Sequence, residues 1–515
     1  MPLTEINPIT KCDYPDPDVI RVGDVYYMAS TTMYFSPGGA ILRSYDLVNW
    51  EIASYLFDVL DDIPEERLEN ERTNYAGGMW APTLRYHDGK FYCAFVSHYT
   101  QTTYLFVSAN VEGPWEKRTI EGYYHDCSLL FDDDGKVYIV YGNKEIYLTE
   151  LKKDLTAPLP GGIHKLIVKE PEGFEGLGYE GSHFYKINGK YYIFFIHWPK
   201  GMMRTEAVFV SNTVDGEYKG KDVFSDDRGL DGQGVAQGGI VDTPNGKWYA
   251  MLFQDSGAVG RIPILVPITW ENDLPVFGTN GKVPKSFNVV GSRPYYRYEP
   301  LYTSDDFKPQ PGVPYRLKPQ WEWNHCPDNS LWEVKEEGGL VLRTGSISSN
   351  LTMARNTLTQ RMMWPRCEAE VTVDASKIKE GDVAGLCALQ GEYAFLGITM
   401  NAGVYYLMKV ERIKEDPSFK IGTSGGDYLP GKMVEKIRLT EPKLTLCLKP
   451  SFENMVDKLD FFWLKDGRMA KVGNSHKLYF RLDHFTGCRF GLFMFSTREA
   501  GGEAVFTDFK YHYEQ

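Results

Sequence analysis

The chain has 515 residues, 43% of them apolar and 24% charged, with 56 Lys and Arg against 69 Asp and Glu for a net charge of −13. That length exceeds what one hydrophobic core usually holds, so two domains are expected. An acidic balance without a Lys/Arg-dense patch argues against nucleic acid and anionic membrane as partners and suits a neutral substrate.

In chain order, Met1 to Thr10 has neither a basic start nor an apolar stretch, so no signal peptide is read there. The longest apolar-aromatic runs, such as Tyr191 to Trp198, are too short to cross a bilayer. Eight cysteines stand apart with no Cys-x-x-Cys pair, which predicts reduced core thiols rather than a zinc ribbon or a disulfide scaffold. A cytoplasmic protein is expected; no oligomeric state is specified.

A strand-turn-strand pattern with a central glycine then recurs five times. The copies are VIRVGDVYYMAS around Gly23, LRYHDGKFYCAFVS around Gly89 and LLFDDDGKVYIVYG around Gly135, then FYKINGKYYIFFIH around Gly189 and IVDTPNGKWYAMLF around Gly246. Gly-Asp, Asp-Gly and Asn-Gly suit hairpin turns because glycine accepts positive φ, and the Tyr, Phe, Val and Ile flanks suit strands. A strand-only unit repeating every ~40–60 residues predicts propeller blades, here five, because a lone hairpin cannot bury its own face.

Counting back from each turn gives one residue per blade. Nine positions before the glycine stand Trp80, Asp126, Glu180 and Gln237, and seven before Gly23 stands Asp16. If the strand before each turn is innermost, these residues share a height around a central funnel. Unpaired carboxylates are costly in a core, so Asp16, Asp126 and Glu180 predict a convergent acidic site. Glycoside cleavage needs one acid to protonate the leaving oxygen and one carboxylate to activate water or attack. A third carboxylate can raise the acid's pKa and orient it. A calcium site is the competing use of three carboxylates, although the EF-hand spacing is absent. Asp18 falls out of step with the other blades. Asp132 to Asp134 sit in a turn and are expected to be solvated. Strand alternation is expected to aim His125 and His183 away from the funnel, and Trp50 is expected to pack between blades.

After about residue 300 the repeat stops. Pro309, Pro311 and Pro314 mark a linker, and short strands follow (LVLRT, EAEVTV, YLMKV, KLTLCLK, DFFWLK, RFGLFMF, VFTDFKYHY) with no long helical period. The expected architecture is all-β: a five-bladed β-propeller over residues 1–300 and a concanavalin-like β-sandwich (jelly roll) over 301–515. Asp508 is a candidate for a structural calcium site. Asn350-Leu351-Thr352 matches a glycosylation sequon that nothing else in the chain supports.

The stretches DYPDPDVIRVGDVYYMASTTMYFSPGGAILRSYDLVNW, MWAPTLRYHDGKFY, HDCSLLFDDDGKVYIVYG, YEGSHFYKINGKYYIFF, QGGIVDTPNGKWYAMLF and GRIPILVPITWENDLPVFG resemble, in this order, glycoside hydrolase family 43. LKPQWEWNHCPDNSLWEV and ARNTLTQR resemble the sandwich attached to many of its xylosidases and arabinofuranosidases. The resemblance implies an inverting mechanism with Asp16 as general base, Glu180 as general acid and Asp126 as pKa modulator. It also places Arg261 near the bound sugar, where it is expected to position Asp126. Trp80, Phe35, His197 with its neighbour Trp198, and Gln237 complete the expected substrate-binding set. Ala236-Gln237-Gly238 stands where many members carry a histidine beside a central calcium; no metal ligand is assigned and no cofactor is expected to be required. Thr32 to Ser36 replaces an aromatic-acidic-aromatic run usual in the β-xylosidases. The expected activity is therefore exo-acting release of terminal α-L-arabinofuranosyl residues from arabinoxylan or arabinan oligosaccharides. β-Xylosidase activity on xylooligosaccharides and a non-catalytic carbohydrate-binding propeller are the alternatives.

Overall fold

The computed structural model describes residues 5–313, 315–413, 429–453, 456–480 and 484–514. Residues 1–4 of the N-terminal segment and Pro314 of the linker lie outside the described residues. The described secondary structure is strand throughout, apart from two single-turn 3-10 helices at Gly257–Val259 and Leu351–Met353.

Five sheets of four strands form the propeller, each sequential in the chain except the first, which passes over the short strand Phe35–Ser36. Their innermost strands are Asp18–Val22, Thr83–His87, Ser128–Phe131, Gly176–Ile187 and Ala236–Asp242, and each packs on its neighbours to close a ring. The turn glycines share one left-handed conformation, with φ of 64° at Gly23 and 75° to 78° at the other four. At Gly23, Gly89, Gly189 and Gly246 an added Cβ would meet nothing within 4 Å, so backbone conformation rather than space selects glycine there. The second strands, such as Lys90–Ser97 and Lys190–Pro199, are buried on both faces because blades pack face to face. Phe95, Phe106, Phe194 and Phe195 fill the clefts between blades, each buried ring contributing about 1.5–3 kcal/mol.

The ring closes non-covalently. Residues 6–14 run beside the strand Arg261–Glu271 of the fifth blade, with Ile9 N–H donating to the Pro263 carbonyl and Tyr14 N–H to that of Arg261, both at 3.0 Å. Arg85 fills the centre, where the inner strands converge. Its guanidinium donates to Asp18 Oδ2 at 2.8 Å, Ser128 Oγ at 2.7 Å and the carbonyls of Leu84, Leu129 and Phe184. His183 also faces Asp18, 3.2 Å from Nδ1 to Oδ1. Asp18 is fully buried, and this pairing, against the penalty of burial, holds its carboxyl at about 2. Asp132 departs from expectation. It is buried, bound to Lys186 at 2.5 Å and to the Tyr191 hydroxyl at 2.6 Å, so it ties the third blade to the fourth, whereas Asp133 and Asp134 are exposed.

The later strands form two sheets packed face to face around a shared core. The proline-rich stretch is stapled to the final strand Glu503–Tyr513: Asp305 and Phe509 exchange backbone bonds at 2.8 and 3.0 Å, and Asp305 Oδ2 accepts from Tyr315 and Trp321. One sheet begins inside the propeller. The short strand Phe35–Ser36 pairs with Glu322–Asn324 and so becomes the edge of an eight-stranded sandwich sheet. Behind it Glu322 is fully buried between Arg361 and Arg489, both at 2.5 Å, and accepts the Tyr55 hydroxyl from the first blade at 2.9 Å.

Candidate active site

Three blades enter the funnel through left-handed residues: Asp16 at φ 51°, Asp126 at 46° and Gln237 at 58°, while in the fourth blade Gly181 beside Glu180 takes 65°. Each kink precedes or interrupts the inner strand and turns a side chain toward the axis; register shifts mark the last two. A Cβ on Gly181 would lie 2.6 Å from the Gln237 amide carbon, so glycine permits that contact. The funnel is a cavity of about 520 Å³ that brings together Asp16, Asp126, Glu180, Arg261, Trp80 and Gln237.

Asp16 is held by Arg261, whose Nη1 donates to Oδ1 at 2.7 Å. Arg261 Nε donates in turn to Asp255 Oδ1 at 3.1 Å, and Asp255 Oδ2 pairs with Arg204. Arg261 therefore positions the Asp16 carboxylate rather than Asp126. Burial raises the Asp16 carboxyl above its ordinary value, Arg261 opposes that rise, and the charges of Asp255 and Glu180 add to it.

On the opposite side Glu180 Oε2 meets His125 Nε2 at 3.3 Å and the Asn143 amide. His125 Nε2 also lies 3.7 Å from Asp126. Burial opposes the charged imidazole, but these two carboxylates outweigh it and lift His125 to about 9. Burial, reinforced by Glu180 and Asp16 and opposed by His125, pushes Asp126 up to about 7. The expectation that His125 points away is overturned: the left-handed backbone at Asp126 breaks strand alternation, so consecutive residues both face the cavity. His183 does point elsewhere, to Asp18.

Trp80 lies flat on His98 at 4.3 Å, with His125 and Phe485 against its edges at 5.4 and 5.9 Å. Two expected residues are not in the cavity. Phe35 is 1% exposed in the strand that joins the sandwich, its ring 3.4 Å beneath the Arg489 guanidinium; Met33 takes its place on the wall. His197 turns outward to Asp222 at 2.9 Å and stacks on Tyr179, because alternation gives the inward position to Trp198. Trp50 is buried, with its indole N–H on the Leu47 carbonyl.

Sequence reasoning missed Asn143, Arg204, Asp255 and Phe485. Phe485 belongs to the C-terminal half and reaches the cavity on a loop whose Gly487 N–H is bound by Asp13, with Cys488 N–H on the Ala258 carbonyl at 2.8 Å. No local signal in the sequence announces it.

His125, Asp126 and Glu180 offer donor atoms within 4.8 Å of one another. At the centre of the ring Asp18 Oδ2, Ser128 Oγ and the Leu129 and Phe184 carbonyls accept from Arg85, whose guanidinium supplies the positive charge there. Asp508 is exposed in the final strand, with Lys510 as a charged neighbour. Chemically the arrangement can serve acid-base cleavage: one carboxylate is braced by a guanidinium, and another is held by an imidazole and an amide.

Comparison with other proteins agrees. The family model described as glycosyl hydrolases family 43 matches residues 6–275, and that of the β-xylosidase C-terminal concanavalin A-like domain matches 304–512. A relative from Formosa agariphila named β-xylosidase is 27% identical, covering 99% of this chain and 90% of its own. A Bacteroides ovatus relative named non-reducing end α-L-arabinofuranosidase is 26% identical over 86% of this chain and 84% of its own. Among solved structures, a bifunctional protein of Bacteroides eggerthii, described as GH43-CE, superposes with a TM-score of 0.91 at 39% identity. That match covers all of this chain and 64% of the other. A family 43 enzyme whose engineered active site displays both endo-xylanase and exo-arabinofuranosidase activity superposes at 0.86 with 29% identity, over 99% of each chain.

Proposed function

The chain belongs to glycosyl hydrolase family 43 and is a glycoside hydrolase acting on carbohydrate; on that premise we propose that it is an exo-acting, inverting enzyme releasing terminal α-L-arabinofuranosyl residues from hemicellulose oligosaccharides. Asp16 removes a proton from the water that attacks the anomeric carbon. Glu180 delivers a proton to the departing oxygen, and Asp126 acts as the modulating and orienting carboxylate. Inversion asks the base and acid to stand ~6.5–9.5 Å apart with water between them.

The observation that carries this reading is the division of the carboxylates. Asp16 is braced by Arg261, which favours its ionised form, whereas Glu180 sits across the cavity with His125 and Asn143. Phe485 closing the cavity from the sandwich supports attack on chain ends. No step draws on a cofactor. Release of terminal β-D-xylosyl units is the second reading: the relative named β-xylosidase matches 99% of this chain, the arabinofuranosidase relative 86%. The same proposal includes a catalytic unit over residues 1–300, an accessory unit over 301–515, and a cytoplasmic location, which eight buried free cysteines support.

The test is parallel hydrolysis of 4-nitrophenyl α-L-arabinofuranoside and β-D-xylopyranoside with the product anomer read by proton NMR. A faster arabinoside reaction giving the β-anomer supports the first reading. A faster xyloside reaction giving the α-anomer replaces it with the second. Retention on either removes Asp16 from the role of base.

A further inference from the structure

Two arginines inside the propeller, Arg85 and Arg204, differ in kind. Arg85 is saturated: all three of its guanidinium nitrogens donate to protein oxygens, as befits a structural tie. Arg204 is not. It is 3% exposed, yet among the described residues it makes a single side-chain hydrogen bond, Nη1 to Asp255 Oδ2. Among the described residues its Nε and Nη2 have no acceptor. The guanidinium lies over the Trp198 ring at 4.5 Å and beside that of Phe253 at 5.7 Å, and Arg204, Trp198 and Phe253 all line the active-site cavity. Unlike Arg361 Nη2 and Arg489 Nε, which are enclosed without a partner, these two donors open onto the cavity, where an acceptor can reach them in surroundings that strengthen a charged hydrogen bond.

We propose that Arg204 is a substrate-binding residue that donates to hydroxyls of the sugar held in this cavity. This rests on the glycosidase reading above. The charge pattern favours a neutral polyol over an anion: Arg204 and Arg261 are both neutralised by Asp255, and Arg261 also by Asp16, so the alternating row Arg204, Asp255, Arg261, Asp16 carries no excess positive charge. A planar guanidinium with two adjacent free donors matches vicinal hydroxyls, and the aromatic beneath it fixes its plane. The row also places this contact on the braced, Asp16 side of the site, three ion pairs away from the base.

The test compares the full-length wild type with R204M and R204K on both 4-nitrophenyl glycosides, with free L-arabinose and D-xylose as competitive inhibitors and thermal melting as a control for folding. A lost charged hydrogen bond predicts a roughly 10- to 100-fold rise in KM and in the pentose inhibition constant for R204M, with the loss falling mainly in KM. R204K, which keeps one charged donor, should recover part of it. Unchanged KM and inhibition constants, or a loss confined to kcat with a shifted pH profile, would overturn the proposal, since either makes Arg204 only a support for Asp255. If R204M does not fold, R204K decides alone: an unaltered KM overturns the assignment. An active wild type with unaffected variants removes only Arg204 from binding, whereas an inactive wild type removes the function proposed above. In that second case calorimetric titration of the two pentoses into wild type and R204M decides the binding role.

Discussion

Gly487 donates its backbone N–H to one oxygen of Asp13 at 3.0 Å, while the other oxygen of that carboxylate accepts the Arg261 N–H at 2.8 Å. One buried side chain, three residues before the base, thus clamps the strand that carries Arg261 to the loop that carries Phe485. A Cβ at Gly487 would stand 2.1 Å from the Val259 carbonyl oxygen. Gly487→Ala should therefore push the loop off the propeller, lower stability by about 1–3 kcal/mol, and raise KM more than it lowers kcat. Steady-state kinetics with a melting curve check this; an unaltered KM would separate Phe485 from substrate binding.

Glu180→Ala should lose about 10²- to 10⁴-fold on a natural oligosaccharide and far less on an aryl glycoside whose leaving group needs no proton. Equal losses on both substrates would take the acid role away from Glu180.

The acid limb of kcat/KM should lie above the pH at which an ordinary aspartate titrates. Asp16 must be ionised to accept a proton, and its burial raises its pKa above the ordinary ~3.9, so activity falls as pH drops through that raised value. Asp255 adds to the rise and shares Arg261 with Asp16. Asp255→Asn should accordingly move the acid limb to lower pH while weakening the base. A limb that stays in place would mean that Asp16 does not set it.

Asp18→Asn should leave Arg85 without its carboxylate at the centre of the ring and cost about 3–5 kcal/mol at neutral pH. The folded pKa of about 2 lies below the unfolded value of ~3.9, so the unfolded chain binds the proton more readily. The wild type should therefore lose this contribution as pH falls from about 4 toward 2, and the variant should show a flatter profile there. Denaturant titrations at stepped pH measure the difference.

The repeated glycine turn made much of this legible in sequence. It fixes five equivalent inner strands, and one offset from each turn finds Trp80, Asp126, Glu180 and Gln237 because the blades repeat in space as they do in the chain. That logic stops where the backbone leaves the repeat. His125 faces the cavity through the left-handed kink at Asp126, which strand alternation cannot anticipate. Phe35 sits just past Met33, itself at φ 54°, in a segment drafted into the sandwich sheet, so its aromatic ring serves Arg489 instead of a sugar. Asn143 ends the second strand of the Gly135 hairpin, one residue past the repeated pattern, while Arg204 and Phe485 lie outside the repeats and reach the cavity through tertiary packing.

The strand Phe35–Ser36 makes the propeller poor material for modular exchange. Its partners lie nearly three hundred residues downstream, and the same later half supplies Phe485 to the cavity wall. All three carboxylates are in place by residue 180, yet the pocket's rim is finished only by residue 485. A designer wishing to swap sandwiches between relatives would have to carry over the Asp13–Gly487 clasp, the Phe35 edge and the Glu322 ion cluster together, or obtain an intact catalytic centre with an open side.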